Sequence, residues 1–240
     1  MLATTDGIVF HFIKYGESSV IATIFTREYG RQSFMINAAR SRTSKNKASI
    51  LQPLFLVNLA AYEKQSREIQ QVKEIKLNRA YQNIPFEVAK STQVIFIAEI
   101  LYKTIHEQES YPEIYDFIQN SLLYFDLMEK GVSNFHLWFL FRLTQYLGFL
   151  PDTSFGGEGW FDLQKGTVVA LEPLHTFFMH KQATKIFMDL AALKINELPD
   201  FRISHEMRGY LLEQIIKYYR LHFENLGEIK SLKILKELFD

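Results

Sequence analysis

The chain has 240 residues and a formal net charge of zero, because 27 Lys and Arg side chains balance 27 Asp and Glu side chains. It contains no cysteine, which excludes disulfides, iron–sulfur clusters, thiolate zinc sites and a cysteine nucleophile. With 48% apolar and 22% charged residues, it has the composition of a folded globular protein with one large core or two modest ones. The sequence has no cysteine and no basic leader followed by an apolar stretch, so we expect a soluble cytoplasmic protein.

The charges are unevenly distributed along the chain. Residues 1–80 contain 12 Lys and Arg against 6 Asp and Glu, a net charge of +6, so residues 81–240 carry −6. Such a split predicts two domains with different partners, of which the basic one faces a polyanion.

The first 79 residues have the pattern of β-structure. Five runs rich in Val, Ile, Phe and Thr predict five strands, at about residues 7–15, 18–27, 31–38, 54–63 and 67–77. Turn residues separate the first three runs, at Tyr15-Gly16-Glu17 and at Tyr29-Gly30-Arg31. Five short strands favour an OB-fold barrel, the oligonucleotide- and oligosaccharide-binding fold, and leave an SH3-like barrel as the alternative.

After residue 79 the apolar residues recur at steps of three and four, which predicts helices. The predicted helices cover about residues 85–106, 112–128, 134–147, 176–193, 204–223 and 231–239. An irregular Gly-rich segment, residues 151–175, interrupts them, and we expect a short hairpin within it. The predicted fold class is therefore α+β, with a five-stranded OB-fold domain over residues 1–79. An all-helical domain with the Gly-rich insertion follows over residues 80–240.

No motif of a known catalytic chemistry occurs in the sequence. Gly156-Gly157-Glu158-Gly159 lacks the flanking strand and helix of a phosphate-binding loop, and the seven histidines lack metal-ligand spacing. The most apolar stretch, residues 135–150, is too short and too polar to cross a membrane. We therefore predict a binding protein with no catalytic residue, metal, cofactor, membrane contact or small-molecule substrate. An enzyme acting through residues 151–175 is one alternative.

The clearest binding signal is a cluster of cations in the β-rich part. No acidic residue occurs between Glu28 and Glu63, and the cations of the 39–47 stretch alternate with Ser, Thr and Asn. Cations attract phosphates and release counterions, while hydroxyl and amide groups add hydrogen bonds to phosphate oxygens. The predicted DNA-contacting residues are Arg31, Arg40, Arg42, Lys45, Lys47 and Arg67, with Lys14 and Arg27 as second choices.

Aromatic side chains near these cations offer surfaces for base stacking. Tyr29 and Tyr62 are candidates, whereas Phe34 is more typical of a core position in a strand. Three alternatives to DNA binding stay open: the cations form a solvated loop, the helical domain is the working part of a protein-interaction scaffold, or the barrel binds RNA. Salt-dependent DNA binding, and competition between DNA and RNA, distinguish them.

Several short motifs follow one another along the chain: Gly7-Ile8-Val9, Tyr15-Gly16-Glu17-Ser18, Ile24-Phe25-Thr26-Arg27-Glu28-Tyr29-Gly30, Leu147-Gly148-Phe149-Leu150-Pro151 and Ser231-Leu232-Lys233-Ile234-Leu235. Their order resembles that of the RecO family of recombination mediators over nearly the whole chain. The resemblance implies an OB-fold joined to an all-helical domain. It also implies a protein that binds DNA, anneals complementary strands, and loads the RecA recombinase onto strands coated by single-stranded DNA-binding protein (SSB).

The resemblance also implies partners and a cellular location, and the sequence departs from the family pattern at one point. The partners are single- and double-stranded DNA, RecR and the acidic C-terminal tail of SSB, which calls for an apolar pocket beside a cation. The location is the bacterial cytoplasm, in association with the nucleoid. Many RecO proteins carry a four-cysteine zinc module after the Gly-Phe-Leu-Pro position, whereas Asp152–Thr176 has no cysteine. We therefore expect no metal there, and a loop held by packing of Phe155, Trp160 and Phe161.

Overall fold

The computed structural model describes residues 2–37, 39, 49–62, 67–106 and 109–239. The chain divides into two compact units, Met1–Phe86 with Val94–Leu123, and Glu87–Gln93 with Tyr124–Asp240. Two helices therefore contribute residues to both units. The domain boundary that we place between residues 79 and 80 stays a prediction.

The first unit contains a closed barrel of five strands. The strands are β1 (Leu2–Tyr15), β2 (Ser19–Thr26), β3 (Gly30–Ile36), β4 (Leu56–Tyr62) and β5 (Ile69–Arg79). They follow the order β1-β2-β3-β5-β4, in which β3 and β5 pair in parallel and the other four pairs are antiparallel. The 14 residues of β1 are enough to pair with both β4 and β2, which closes the barrel. The predicted five-stranded OB-type barrel is confirmed.

The register of the strands shows that they are strongly tilted. A path through paired residues begins at Ile13, crosses Ile21, Met35, Gln71 and Tyr62, and returns to β1 at Leu2, 11 positions earlier. Part of this offset belongs to the irregularity between Val9 and His11. A large offset in a five-stranded barrel requires a steep tilt and leaves an interior that side chains fill completely.

Apolar side chains that alternate along the strands form the barrel core. Val20 and Ile24 are fully buried and Phe34 is 2% exposed, so the prediction that Phe34 is a core residue is confirmed. Between β3 and β4 a 3₁₀ helix, Ser49–Leu51, adds its two apolar side chains to the same core. It therefore closes the end of the barrel at which β3 finishes and β4 begins.

In the part of the chain that the structure describes, six α-helices, two 3₁₀ helices (Val132–Asn134 and Ile195–Asp200) and a small sheet follow the barrel. The helices are α1 (Val88–Thr104), α2 (Pro112–Leu127), α3 (Phe135–Tyr146), α4 (Lys181–Ala192), α5 (His205–His222) and α6 (Ser231–Phe239). The sheet has the order β7-β6-β8, from β6 (Trp160–Asp162), β7 (Thr167–Val169) and β8 (Phe178–Met179). Within the described ranges, no helix is both long and apolar enough to cross a membrane.

Two of the predicted helix starts are wrong for local reasons. Pro85 lies in a turn before α1, which begins only at Val88. The predicted fourth helix begins at Lys181 instead of residue 176, because Phe178–Met179 pairs with β6 as a strand. A two-residue strand carries no periodic signal, so sequence patterning extends the neighbouring helix over it.

The expected hairpin of the Gly-rich segment is confirmed as β6 and β7. Its packing is only partly as predicted: Phe161 is fully buried and lies 5.1 Å from the Phe187 ring, whereas Phe155 is 69% exposed. The prediction for Phe155 is wrong because Phe155 lies in the turn before β6. Gly166 closes the hairpin with φ of +67°, and a Cβ there would approach the Tyr218 hydroxyl to 2.7 Å.

A buried carboxylate orders the same hairpin. The Asp162 side chain is 2% exposed, and its Oδ1 accepts hydrogen bonds from the backbone N–H of Gln164 at 2.9 Å and of Lys165 at 3.1 Å. The His175 Nε2 lies 3.4 Å from the same oxygen. Because burying an unpaired carboxylate is costly, these donors stabilise the turn and fix the path of residues 162–175.

A hydrogen-bonded histidine lies in the core of the second unit. The Gln93 Oε1 accepts from the backbone N–H of His136 at 3.0 Å and lies 3.0 Å from its Nδ1. The Gln93 Nε2 donates to the carbonyls of Ala89 and Val132, so the amide oxygen is the end that faces His136. Burial, and secondarily the positive charge of Arg208, lowers the pKa of His136 from 6.5 to about 3.

We expect the stability of the protein to fall as the pH decreases from 7 to 5. In the unfolded chain His136 binds a proton below its ordinary pKa of 6.5, whereas in the folded chain it stays neutral. The cost from this group is therefore small near pH 7 and approaches about 1.4 kcal/mol of unfolding free energy per pH unit below about pH 6. Urea unfolding of the wild type and of His136→Asn across this range checks the effect, since the variant lacks the titrating ring. Equal pH slopes for the two proteins would contradict it.

Candidate nucleic-acid interface

The barrel places the four predicted DNA-contacting residues that the structure describes at its two ends. The β2–β3 and β4–β5 connections lie at one end, and the β1–β2 and β3–β4 connections lie at the other. Arg27, Arg31 and Arg67 therefore belong to the first end and Lys14 to the second. Four further residues, Arg40, Arg42, Lys45 and Lys47, lie outside the described residues, and the strand that precedes them finishes at the second end.

Arg31 attaches the end of α1 to the barrel. Its Nη1 donates to the carbonyl oxygens of Tyr102 at 2.7 Å and Ile105 at 2.6 Å. Its guanidinium carbon lies 4.5 Å from the centre of the Tyr102 ring, which also packs 5.2 Å from the His11 ring. Carbonyls at a helix C-terminus lack intrahelical donors and favour a cation. Arg31 thus has a structural role, and its contact with DNA stays a prediction.

Arg27 forms a bidentate ion pair with α2. Its Nε and Nη2 donate to the two carboxylate oxygens of Asp116 at 3.0 and 2.9 Å. These hydrogen bonds raise the pKa of Arg27 and lower the pKa of the Asp116 carboxyl. The two side chains remain 43% and 45% exposed. A bidentate carboxylate has the geometry that a phosphate would take on the same guanidinium.

An open apolar row crosses the outer face of β1, β2 and β3. Ile13 pairs with Ile21, and Ile21 pairs with Met35, so the three side chains share that face. Ile13 is 51% exposed and Tyr15, two residues further along β1, is 53% exposed. Sequence reasoning missed this row, although Ile13 and Tyr15 are two residues apart in β1, the period that defines one face of a strand.

Exposed cations lie at both ends of the barrel. Lys14 is exposed next to the β1–β2 connection, and Arg67 is exposed just before β5. Of the predicted stacking residues, Tyr62 is 44% exposed at the end of β4, whereas Tyr29 is partly buried beside β3. In OB folds the β2–β3 face and the β1–β2 and β4–β5 loops bind oligonucleotides. The apolar row, Lys14 and Arg67 are therefore the candidate interface.

The described ranges contain no group of three or more His, Asp or Glu side chains that could hold a metal ion. Asp162 and His175, which approach each other in the Gly-rich segment, lack a third such residue. Their hydrogen bonds to backbone groups instead order the loop.

The closed barrel with this strand order, and the 3₁₀ helix between β3 and β4, define an OB-type protein with a helical second part. Residues 1–81 match the family model described as Recombination protein O N terminal, and residues 86–233 match Recombination protein O C terminal. The chain belongs to the RecO family of DNA repair proteins.

Curated relatives agree with this assignment over their full length. The DNA repair protein RecO of Phocaeicola vulgatus is 33% identical over 240 residues, covering 100% of both chains. Those of Bacteroides fragilis and Flavobacterium psychrophilum are 32% and 33% identical, again over 100% of both chains. The resemblance recognised in the sequence is thereby confirmed.

Proposed function

We propose that the protein is a non-catalytic recombination mediator. It binds single- and double-stranded DNA, anneals complementary strands and helps to load RecA onto SSB-coated DNA, with RecR as a partner, in the cytoplasm at the nucleoid. The observation that carries this proposal is the outer face of the barrel with Ile13, Tyr15 and Met35, together with the exposed cations Lys14 and Arg67 at the two ends of the barrel.

This surface suits the physical requirements of annealing. Cations reduce the repulsion between two phosphate backbones, and apolar or aromatic side chains hold bases out of their own stack. Neither step requires a group that donates or accepts a proton. The proposed mechanism therefore depends on the Lys and Arg side chains for affinity and on the apolar row for presenting bases.

A cavity in the second unit supports the proposed contact with the SSB tail. Its volume is about 360 Å³, and it lies between α5 and α6. Leu212 and the fully buried Leu235 give it an apolar floor, while Arg208 and Lys236 line its walls. Glu206 and Glu213 also line the cavity, and Glu213 pairs with Lys236. An acidic peptide that ends in an apolar residue would therefore use Arg208 as its cation and compete with Glu213 for Lys236.

Fluorescence anisotropy of labelled single- and double-stranded oligonucleotides, titrated at several salt concentrations, tests the proposal. We expect binding that weakens steeply with salt, and weaker binding with a smaller salt slope for Lys14→Ala combined with Arg67→Ala. Absence of binding at low salt would contradict a DNA-contacting role and favour the protein-interaction scaffold. Stronger competition by RNA than by DNA would favour an RNA-binding protein.

Asp116 is expected to weaken DNA binding, because it occupies the face of Arg27 that a phosphate would use. Replacing Asp116 by Asn should raise the affinity for single-stranded DNA about two- to fivefold and add up to about 0.7 to the salt slope. The same anisotropy titrations measure both quantities. The double variant Asp116→Asn, Arg27→Gln is the control and should lose the gain. An affinity for Asp116→Asn no higher than that of the wild type would exclude Arg27 as a phosphate contact.

A further inference from the structure

Four aromatic rings cluster on the outer face of the small sheet and on α5. In the antiparallel pairing of β6 with β8, Phe161 lies opposite Met179 and Asp162 lies opposite Phe178. The next position in this register brings Trp160 opposite His180. The Trp160 ring lies 5.2 Å from Phe178 and 5.5 Å from His180, and the His180 ring stacks 6.2 Å from Tyr210. We call Trp160, Phe178, His180 and Tyr210 the aromatic platform. His180 is exposed and the other three rings are partly exposed.

The platform has a rigid support. On the opposite side of the sheet Phe161 and Met179 are fully buried. The Thr184 Oγ1 of α4 accepts from the Phe161 N–H at 3.0 Å and donates to the Met179 carbonyl at 3.1 Å. Both strands are thus fixed to α4 beneath the rings. Rings held in this way need little further ordering when a planar ligand packs on them.

Exposed cations accompany the platform. Lys181 directly follows His180, and Lys185 lies one turn further along α4. The loop before β6 crosses α4 so closely that a Cβ on Gly157 would lie 2.8 Å from the Lys185 Cα. The two lysines disfavour a cationic occupant, for which aromatic cages are otherwise suited. Aromatic rings beside cations favour a polyanion that carries planar groups.

We propose that the aromatic platform is a second contact surface for single-stranded nucleic acid, separate from the barrel face, on which unstacked bases pack while Lys181 and Lys185 contact phosphates. The proposal rests on the DNA-binding function proposed above. Two contact surfaces on one chain match the requirement of annealing that two strands be held by the same protein.

Tryptophan emission provides a direct test. The protein has two tryptophans, and Trp138 is 6% exposed with its Nε1 donating to the Leu193 carbonyl. Quenching by DNA therefore reports on Trp160. We expect oligo(dT) to quench the emission of the wild-type protein and to leave that of Trp160→Phe nearly unchanged. Double-stranded DNA, whose bases are already stacked, should quench much less.

Affinity measurements on variants complete the test. His180→Ala removes an exposed ring that makes no capping hydrogen bond, so the fold should be retained. We expect it to weaken oligo(dT) binding about five- to tenfold. Phe155→Ala is the matched control, an exposed ring outside the platform, and should bind as the wild type does. Saturated binding by anisotropy without quenching would overturn the platform while leaving DNA binding by the barrel intact. Absence of any binding would overturn both proposals.

Discussion

Replacing Arg40, Arg42, Lys45 and Lys47 together by Ala is expected to weaken DNA binding more than any other change on the barrel. If each cation neutralises one phosphate, the slope of log affinity against log salt should fall by about 3 for single-stranded DNA. At physiological salt the affinity should fall by about 10- to 100-fold. Anisotropy titrations across a range of salt concentrations measure both values.

A charge-matched control separates specific contacts from the effect of net charge. Arg202, Lys217, Arg220 and Lys233 are exposed on the helical part, and their combined replacement by Ala removes the same four charges. This control should change the salt slope by less than about 1. A salt slope that stays at the wild-type value in the loop variant would contradict the assignment of the 39–47 stretch to phosphate contacts.

Arg31→Ala is expected to destabilise the first unit by about 2–3 kcal/mol, because hydrogen bonds from a charged donor are lost. The carbonyls of Tyr102 and Ile105 would lose a cationic donor at the end of α1, and the Tyr102 ring would lose its contact with the guanidinium. Arg31→Lys should recover only part of the stability, since an ammonium cannot reproduce the planar fork. Urea unfolding measures the change.

Arg67→Ala is the control for this experiment, because Arg67 is exposed and precedes β5. Its replacement should leave the unfolding free energy within about 0.5 kcal/mol of the wild type while weakening DNA binding. An Arg31→Ala protein that unfolds like the wild type but binds DNA poorly would show that Arg31 contacts DNA and does not stabilise the fold.

The regular elements could be predicted from the sequence because each has a local signal. Runs rich in Val, Ile, Phe and Thr give β1 to β5, although β1 begins at Leu2 instead of residue 7. The helical spacing of apolar residues gives α1 to α6 within a few residues. The 3₁₀ helix Ser49–Leu51 and strand Phe178–Met179 could not be predicted, because neither is long enough to show a period. Their positions depend on tertiary packing against the barrel core and against β6.

The sequence predicts which residue types form the candidate site, but it does not predict the partners of the individual side chains. The excess of cations is visible in the sequence, but Arg31 reaches carbonyls 71 and 74 residues away and Arg27 reaches a carboxylate 89 residues away. No local pattern reports such pairs, and the charge pattern suggests phosphate as the partner of both arginines. The face that carries Ile13 and Tyr15 could have been found from strand alternation alone.

The buried Asp162 turn has a consequence for the conditions under which this family member can work. A module tied together by zinc thiolates loses its metal to chelators and to oxidants that attack sulfur. Here a carboxylate, two backbone N–H groups and packed rings hold the corresponding segment, in a chain without cysteine. Peroxide and zinc depletion would therefore leave this segment folded.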